Sequence, residues 1–294
     1  MTVKKFIQRY LSYPVQGLFG HLFFFLVRLL PQKTASNTGA RLGRWIGPKI
    51  GISRRARRNL GMAFPDKTPL EIEEIVIGMW DNLGRVLFEY PFLSRIDMTR
   101  DVEIIGAEHL DSLRDDGKPG ILFAGHFANW EIVPLVPKTR DLDTHIFYRA
   151  PNNPYVADLF ARSHLNAGSE MIPKGPKGAR LGLQVLKDGG HLGMLIDQKM
   201  NDGIAVPFFG RDAMTAPALA QLALKYDCPV VPGRIERLEG SKFRVTFYPP
   251  LIIEKTGDRH GDILAVMTQV NQTLEHWIRA RPEQWLWLHN RWPD

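Results

Sequence analysis

One segment of the chain, residues 120–131, carries two side chains that can move a proton. A short apolar run ends at Gly125 and is followed by His126 and, five residues later, by Glu131. A carboxylate that accepts a hydrogen bond from one imidazole nitrogen fixes the tautomer and leaves the other nitrogen free as a base. Because neither Ser nor Cys lies between the two, we expect the pair to activate a substrate hydroxyl. The alternative is a structural histidine that caps a turn beside an unrelated glutamate.

The two residues can meet only if particular elements hold them. Residues five apart do not share a face of one regular helix. We therefore place His126 in a turn after a strand and Glu131 one turn into a following helix, predicted over residues 129–136. The N-terminus of that helix would keep the imidazole neutral and basic.

The remaining pattern indicates an α/β fold. From about residue 101, short apolar segments alternate with helical periodicity, which predicts a mostly parallel central sheet flanked by helices. Predicted strands cover residues 120–124, 144–148, 191–196, 228–235 and 242–248, and predicted helices cover 154–167, 179–187, 216–226 and 262–281. The turn residues at 237–241 predict a hairpin and one antiparallel edge. An earlier helix, from the capping box Thr68–Glu71 to about Phe92, is expected before the sheet.

Besides His126, two polar residues follow predicted strand ends, and a third candidate lies on a predicted helix. Arg149 follows the strand 144–148, and Asp197 follows the strand 191–196. Ligands collect at the carboxyl ends of strands in open α/β sheets, so both residues are candidates for the site around His126. Arg162, on the helix after Pro154, is a further candidate because guanidinium groups match phosphate. The alternatives are a surface ion pair for Arg162 and a structural acceptor of backbone donors for Asp197.

The composition excludes several classes of protein. Hydrophobic residues make up 44% and charged residues 23% of the 294 residues, which indicates a folded chain. The single cysteine, Cys228, excludes an internal disulfide framework and is expected to be a buried thiol. No metal-ligand spacing and no glycine-rich phosphate loop is present, so no metal and no bound cofactor are expected.

The net charge of +7 suits a polyanionic partner. No nucleic-acid-binding motif is present, so nucleic acid is not expected as a partner. The densest basic cluster, Arg54, Arg55, Arg57 and Arg58, follows an apolar stretch at Val15–Leu30, which favours lipid phosphates over a simply solvated face. That stretch is shorter than the roughly 20 residues that span a bilayer. We interpret it as a membrane-embedded or interfacial anchor, with a buried core helix as the alternative.

These features predict three regions. Residues 1–31 form the N-terminal membrane anchor, residues 32–100 form a helical, Arg-rich and membrane-proximal segment, and residues 101–294 form the α/β catalytic core. Within the core, the active site is expected at the carboxyl edge of the sheet.

Six sequence elements, in order, resemble the late acyltransferases of lipid A biosynthesis over nearly the whole chain. The elements are His126–Glu131 (His-x4-Glu), Tyr148–Pro154, Ile196–Gln198, Val206–Gly210 with Thr215, Cys228–Pro232 and Pro282–Arg291. The segment Arg54–Pro65 also fits. The resemblance implies an α/β acyltransferase core with an N-terminal membrane helix, like that of glycerolipid acyltransferases.

The resemblance also implies a reaction. A fatty acyl chain would pass from acyl carrier protein to a hydroxyl of a Kdo-lipid A precursor at the cytoplasmic face of the inner membrane. His126 would act as general base oriented by Glu131, with Arg149, Arg162 and Asp197 binding substrate or organising the site. Two alternatives remain: an acyltransferase for another membrane glycolipid, such as a phosphatidylinositol mannoside, and a non-catalytic lipid-binding homologue.

Overall fold

The computed structural model describes residues 6–148, 150–166 and 170–292. Its first third is helical, and its remainder is an α/β sheet flanked by helices. The helices are α1 (Tyr13–Arg28), α2 (Gln32–Ile46), α3 (Ser53–Ala63), α4 (Pro69–Glu89), α5 (Ala107–Asp115), α6 (Pro154–Asn166), α7 (Pro176–Lys187), α8 (Ala218–Tyr226) and α9 (Arg259–Ala280).

Nine strands form two sheets in the described part of the chain. They are β1 (Val102–Ile105), β2 (Gly120–Ala124), β3 (Thr144–Tyr148), β4 (Glu170–Pro173), β5 (His191–Leu195), β6 (Lys199–Phe208), β7 (Arg211–Thr215), β8 (Val230–Arg237) and β9 (Phe243–Phe247). The main sheet has the order β1-β9-β8-β2-β5-β3-β4, and β6 and β7 form a separate antiparallel hairpin. The α/β fold with a mostly parallel central sheet is confirmed.

The antiparallel part of the main sheet differs from the prediction. Strands β8 and β9 are antiparallel, as the turn residues at 237–241 indicated. However, β9 is not the edge, because β1 pairs with it in parallel and lies outside it. The strand β1 and the helix α5 were not predicted, since both are short and partly exposed. The antiparallel margin therefore contains two strands, β1 and β9.

The helix predicted over residues 129–136 does not form. Ala128 has a left-handed backbone with φ of 44°, and the chain then makes two short 3-10 helices, Val133–Leu135 and Pro137–Arg140. Pro134 and Pro137 carry no N–H to continue an α-helix. Gly210, with φ of 69°, turns the hairpin between β6 and β7, and Thr215 ends β7.

The helix α4 packs closely against α2. Its start is the predicted capping box, in which Thr68 Oγ1 accepts from the Glu71 N–H and Glu71 accepts from the Thr68 N–H. Gly39 of α2 and Gly84 of α4 bring the two backbones together, since a Cβ at Gly39 would lie 2.2 Å from the Gly84 carbonyl oxygen. This close approach fixes α4 beside the site described below.

The N-terminal apolar segment is longer than its sequence indicated. A continuous helix covers Gln8–Arg28, and its 21 residues are enough to cross a membrane by length and composition. Only 17% of its most apolar stretch is buried, so a core helix is a poor description of it. One face contacts α6 through Phe24 and Phe160, whose ring centroids are 6.1 Å apart.

Cys228 is buried beside β8, as expected of a structural thiol. Burial raises its pKa to about 11, which keeps it protonated near neutral pH.

Candidate active site

His126 and Asp197 lie at the same edge of the sheet because their strands are neighbours. The parallel strands β2 and β5 end at Ala124 and Leu195, which are paired in register. His126 and Asp197 each come two residues later. His126 Nδ1 is 2.7 Å from Asp197 Oδ1, and the His126 backbone N–H donates to Asp197 Oδ2 at 2.7 Å. The structure thus brings Asp197 and His126 together at the strand ends.

Asp197 is an anion inside the protein. Its side chain is fully buried, and its Oδ2 also accepts from Trp285 Nε1 at 2.7 Å. Burial alone would raise the pKa of the carboxyl, but the adjacent His126 and its hydrogen bonds outweigh burial and hold that pKa below its usual range. An ionised carboxylate only accepts hydrogen bonds, so Nδ1 of His126 donates to Asp197, and Nε2 is the atom that carries the lone pair when the ring is neutral.

The Nε2 atom of His126 faces a second histidine across an amide. Gln198 Nε2 lies 3.1 Å from His126 Nε2 and 3.2 Å from His289 Nε2. A single amide NH₂ can donate to both lone pairs, which requires that both rings be neutral at Nε2. Burial, followed by the nearby His126, lowers the pKa of His289 to about 4. The Gln198 amide thus lies between the Nε2 atoms of the two histidines.

Sequence reasoning missed Gln198 and His289 as site residues. Both lie inside segments singled out by their resemblance, Ile196–Gln198 and Pro282–Arg291. The adjacency of Gln198 to Asp197 was a usable indication, because successive residues at a strand end reach the same edge. His289 is 163 positions from His126, and spacing alone does not bring it there.

The structure corrects the role expected of Glu131. Asp197, not Glu131, lies at Nδ1 of His126. Glu131 accepts a hydrogen bond from Trp130 Nε1 at 2.9 Å. Burial is the main reason why the pKa of the Tyr90 hydroxyl is raised, and the charge and hydrogen bond of Glu131 raise it further. The reason is the missing helix: the bent chain after Ala128 directs Glu131 to these two side chains. Trp130 stands edge-on to His126, with ring centroids 5.2 Å apart.

The turn that carries His126 is held from α4. The Asn82 side chain donates to the Ala128 carbonyl at 2.9 Å, and the Ala128 N–H donates to the Gln284 carbonyl at 2.9 Å. Asn129 donates to Glu89 at 2.8 Å. Ala128 adopts its strained backbone because hydrogen bonds fix the turn on both sides.

A buried ion pair supports the same contacts. Arg237 of β8 binds both carboxylate oxygens of Glu89, at 2.6 and 2.9 Å, and also binds Asn82 at 3.0 Å. Ser36 of α2 donates to Glu89 at 2.7 Å. Helices α2 and α4, strand β8 and the histidine turn are therefore joined through one carboxylate.

The segment 285–291 closes the other side of the site. The Leu286 N–H donates to the His126 carbonyl at 3.1 Å, and Phe127 forms an isolated bridge with Trp285. Asn59 of α3 donates to the carbonyl oxygens of Trp287 and His289. These contacts place the His289 ring 5.3 Å from that of His126, measured between centroids.

A cavity of about 400 Å³ opens beside His126 and runs along the sheet. Its polar groups, which include His126, Glu131, Lys174, Gln198 and His289, are outnumbered by apolar ones. The apolar side chains include Leu122, Phe123, Val133, Ile146, Phe147, Met171, Met194, Leu195 and Phe247. The arrangement, a base at one part of a largely apolar cavity, suits a substrate with a long hydrocarbon chain and a reacting polar group.

The two arginines predicted for the site have different outcomes. Arg149 lies outside the described residues. Arg162 is on α6, is 71% exposed and pairs with Asp158 at 2.8 Å, four residues earlier. It is not among the residues that line the cavity. The structure thus places His126 and Glu131 on one cavity, with Asp197 buried at His126 Nδ1, but leaves Arg162 in the surface ion pair that was its alternative.

Comparison with known proteins shows which family the chain is similar to. The family model of bacterial lipid A biosynthesis acyltransferases matches residues 3–294. The chain is 24% identical over 276 residues to a lipid A biosynthesis acyltransferase of Haemophilus influenzae, covering 92% of this chain and 85% of that protein.

Two further relatives carry different acceptor names. A lipid A biosynthesis lauroyltransferase of Escherichia coli is 26% identical over 282 residues, covering 90% of this chain and 87% of the relative. A phosphatidylinositol mannoside acyltransferase of Mycolicibacterium smegmatis is 24% identical over 277 residues, covering 91% and 88%. Since the family model spans nearly all of it, the chain belongs to the bacterial lipid A biosynthesis acyltransferase family.

Proposed function

We propose that this protein transfers a fatty acyl chain from the thioester of acyl carrier protein to a hydroxyl of a Kdo-lipid A precursor. The observation that carries the proposal is the Asp197–His126 pair, whose Nε2 lone pair opens toward an apolar cavity. The apolar walls fit the hydrocarbon of the donor, and the base fits an alcohol acceptor. The family match supports acyl transfer as the reaction class.

The reaction uses Nε2 of His126 as general base and then as general acid. Nε2 takes the hydroxyl proton while the alcohol oxygen attacks the thioester carbonyl, and Asp197 stabilises the imidazolium that forms. When the tetrahedral intermediate collapses, the carbon–sulfur bond breaks and the imidazolium returns the proton to the departing thiolate. The products are an ester and the free thiol of the carrier. Gln198 leaves Nε2 as the hydroxyl arrives.

Glu131 acts in this proposal by holding the wall of the site. Its hydrogen bond with Trp130 fixes the indole that stands against His126. Glu131 is thus a positioning residue, and Asp197 is the carboxylate that sets the tautomer. Arg149 belongs to the proposal as a ligand for the carrier or for acceptor phosphate, since guanidinium groups form paired hydrogen bonds with phosphate.

The proposed location is the cytoplasmic face of the inner membrane. The exposed helix Gln8–Arg28 supports anchoring, and acyl carrier protein as donor requires access from the cytoplasm. The strongly acidic surface of such carriers complements the net charge of +7.

A second acceptor is favoured by a specific observation. The relative from Mycolicibacterium smegmatis, named for phosphatidylinositol mannoside, matches almost as much of the chain as the lipid A enzymes do. The same base and cavity would serve a mannoside hydroxyl, so the second candidate is acyl transfer to a phosphatidylinositol mannoside.

One experiment tests reaction, acceptor and chain length together. The purified full chain, in neutral detergent, is incubated with either acceptor and with acyl carrier protein thioesters of graded length, and products are weighed by mass spectrometry. We expect one added acyl group on the lipid A precursor, and a loss of turnover of roughly 10²–10⁴ in His126→Ala. Absence of any acylated lipid, or activity of His126→Ala within a few-fold of wild type, contradicts the proposal.

A further inference from the structure

A second cleft, separate from the catalytic cavity, lies at the start of α3. It has a volume of about 280 Å³ and is lined by Gly51, Ile52, Arg54, Arg55, Arg58 and Asn290. Three guanidinium groups thus share one small cleft, and none of its described lining residues is a carboxylate. This concentration of positive charge calls for an anionic ligand.

The fourth arginine of the sequence cluster is turned away. Arg57 forms two hydrogen bonds with Glu73, at 2.7 and 2.8 Å, and a third with the Pro48 carbonyl. Its charge is neutralised within the fold. Of the four arginines predicted to bind lipid phosphates, only Arg54, Arg55 and Arg58 remain candidates. These three side chains are exposed.

Apolar side chains that face solvent lie in the chain segment that leads into the cleft. Trp45 is 66% exposed, and Ile50 and Ile52 are 43% and 41% exposed. Lys49 lies over the Trp45 ring, with Nζ 5.2 Å from the ring centroid. Exposed aromatic and aliphatic groups beside basic ones are typical of a surface that rests on the headgroup region of a membrane.

The cleft and the catalytic cavity share one wall. Arg55 donates to the Leu288 carbonyl at 3.2 Å, and Arg58 donates to the Asn290 side chain. These two partners are the chain neighbours of His289, which lines the catalytic cavity. The cleft and the catalytic cavity are therefore lined by consecutive residues, Asn290 in the cleft and His289 in the cavity.

We propose that Arg54, Arg55 and Arg58 form a subsite for a phosphate group on the headgroup of the acceptor lipid. Binding there holds the headgroup at the membrane surface while an acyl-chain hydroxyl of the same lipid reaches His126. The inference rests on the proposed function, since it assigns one part of the acceptor. The apolar border of the cleft favours a membrane lipid over an acidic protein as the source of the phosphate.

The test is a binding titration that needs no catalysis. Dodecyl phosphate is added to the full chain in dodecyl maltoside micelles, and binding is followed by ³¹P nuclear magnetic resonance. Arg54→Ala is the principal variant, because its side chain is exposed and forms no ion pair or hydrogen bond among the described residues. We expect its affinity to fall about ten-fold, with Arg54→Lys between it and wild type.

Two controls are needed. The first tests whether the position of the lost charge matters, and the second tests whether the ligand must be a lipid. Arg259→Ala removes the same charge at the start of α9, away from the cleft, and should leave the affinity unchanged. Inorganic phosphate in place of dodecyl phosphate should bind at least ten-fold more weakly, because it lacks the apolar tail. Thermal unfolding of each variant verifies that the fold is retained.

Three outcomes would overturn the assignment. Equal affinities for wild type and Arg54→Ala would remove Arg54 from any phosphate site, and equal binding of inorganic phosphate would remove the lipid as its source. If Arg54→Ala raises the Michaelis constant for acyl carrier protein and leaves dodecyl phosphate binding unchanged, the cleft binds a protein partner instead. Since the titration contains no acyl donor, its result is independent of whether the proposed reaction occurs.

Discussion

The Asp197 carboxylate holds His126 by two hydrogen bonds, one to the backbone N–H and one to ring Nδ1, both 2.7 Å long. The first fixes the position of the turn, and the second fixes the direction of the ring. A single buried anion therefore sets the location, the orientation and the tautomer of the proposed base.

Replacement of Asp197 by Asn tests this dependence. The amide keeps the size of the side chain but loses the charge that stabilises the imidazolium, and it places an NH₂ group among three donors. We expect turnover to fall by roughly 10²–10⁴, with a smaller change in the Michaelis constant. Trp285→Phe, which removes only one donor to Asp197, should cost less. Steady-state kinetics with both variants decide the point, and turnover near wild type in Asp197→Asn would refute it.

Glu131→Gln should be milder than either His126→Ala or Asp197→Asn. Gln can still accept the hydrogen bond from Trp130 Nε1, so the wall beside His126 is largely kept. We expect a loss of turnover of about ten-fold or less, with the pH profile of turnover unchanged in shape. If Glu131→Gln instead abolishes turnover and shifts that profile, Glu131 acts directly on the proton and the assignment of roles reverses.

Loss of Arg237 should destabilise the fold strongly. Arg237→Ala leaves the Glu89 carboxylate buried without its cation, for an expected cost of about 3–5 kcal/mol. Arg244→Ala, which breaks an exposed pair with Glu103, should cost less than about 1 kcal/mol. Denaturant unfolding measures both. A double variant, Glu89→Leu with Arg237→Met, should recover much of the loss, because no uncompensated charge remains.

His289 should make stability depend on pH in the acidic range. Burial lowers its pKa to about 4 in the folded protein, whereas an unfolded histidine has a pKa near 6.5. Between these values the unfolded chain binds more protons, so stability falls as the pH drops from about 6.5 to about 4. His289→Gln should flatten this slope, as measured by unfolding at a series of pH values. An unchanged slope would show that His289 is not held neutral.

The helix Gln8–Arg28 should govern membrane attachment. Removal of residues 1–31 is expected to move much of the protein to the soluble fraction. A gentler variant replaces Leu18, Phe19 and Leu22, which are exposed, by Ser and keeps the packed face intact. Fractionation with and without high salt separates apolar anchoring from attraction between the arginines and lipid phosphates, which salt screens. Full membrane retention of both variants in high salt would contradict the simple anchor.

The sequence was sufficient for five strands of the main sheet, but not for β1 and β4 or for the partners of His126. Strands β2, β3 and β5 were predicted because buried parallel strands are short apolar runs. Asp197 was placed correctly because strand ends share an edge. Glu131 was assigned to His126 because a helix was assumed after Ala128, and the left-handed backbone there depends on contacts with Asn82 and Gln284 that are distant in sequence.

The pairing of the histidine turn with the segment 284–291 has a consequence for synthesis of the protein. His126 is made long before Trp285 and His289, yet both the Trp285 donor to Asp197 and the backbone that braces the turn come from this late segment. A ribosome-bound chain that has emerged only as far as β9 would contain His126 but not the residues of this segment that form hydrogen bonds with Asp197 and with the histidine turn. In the proposed mechanism, competence for acyl transfer is therefore acquired only after residues 284–291 have been synthesised, long after the helix Gln8–Arg28.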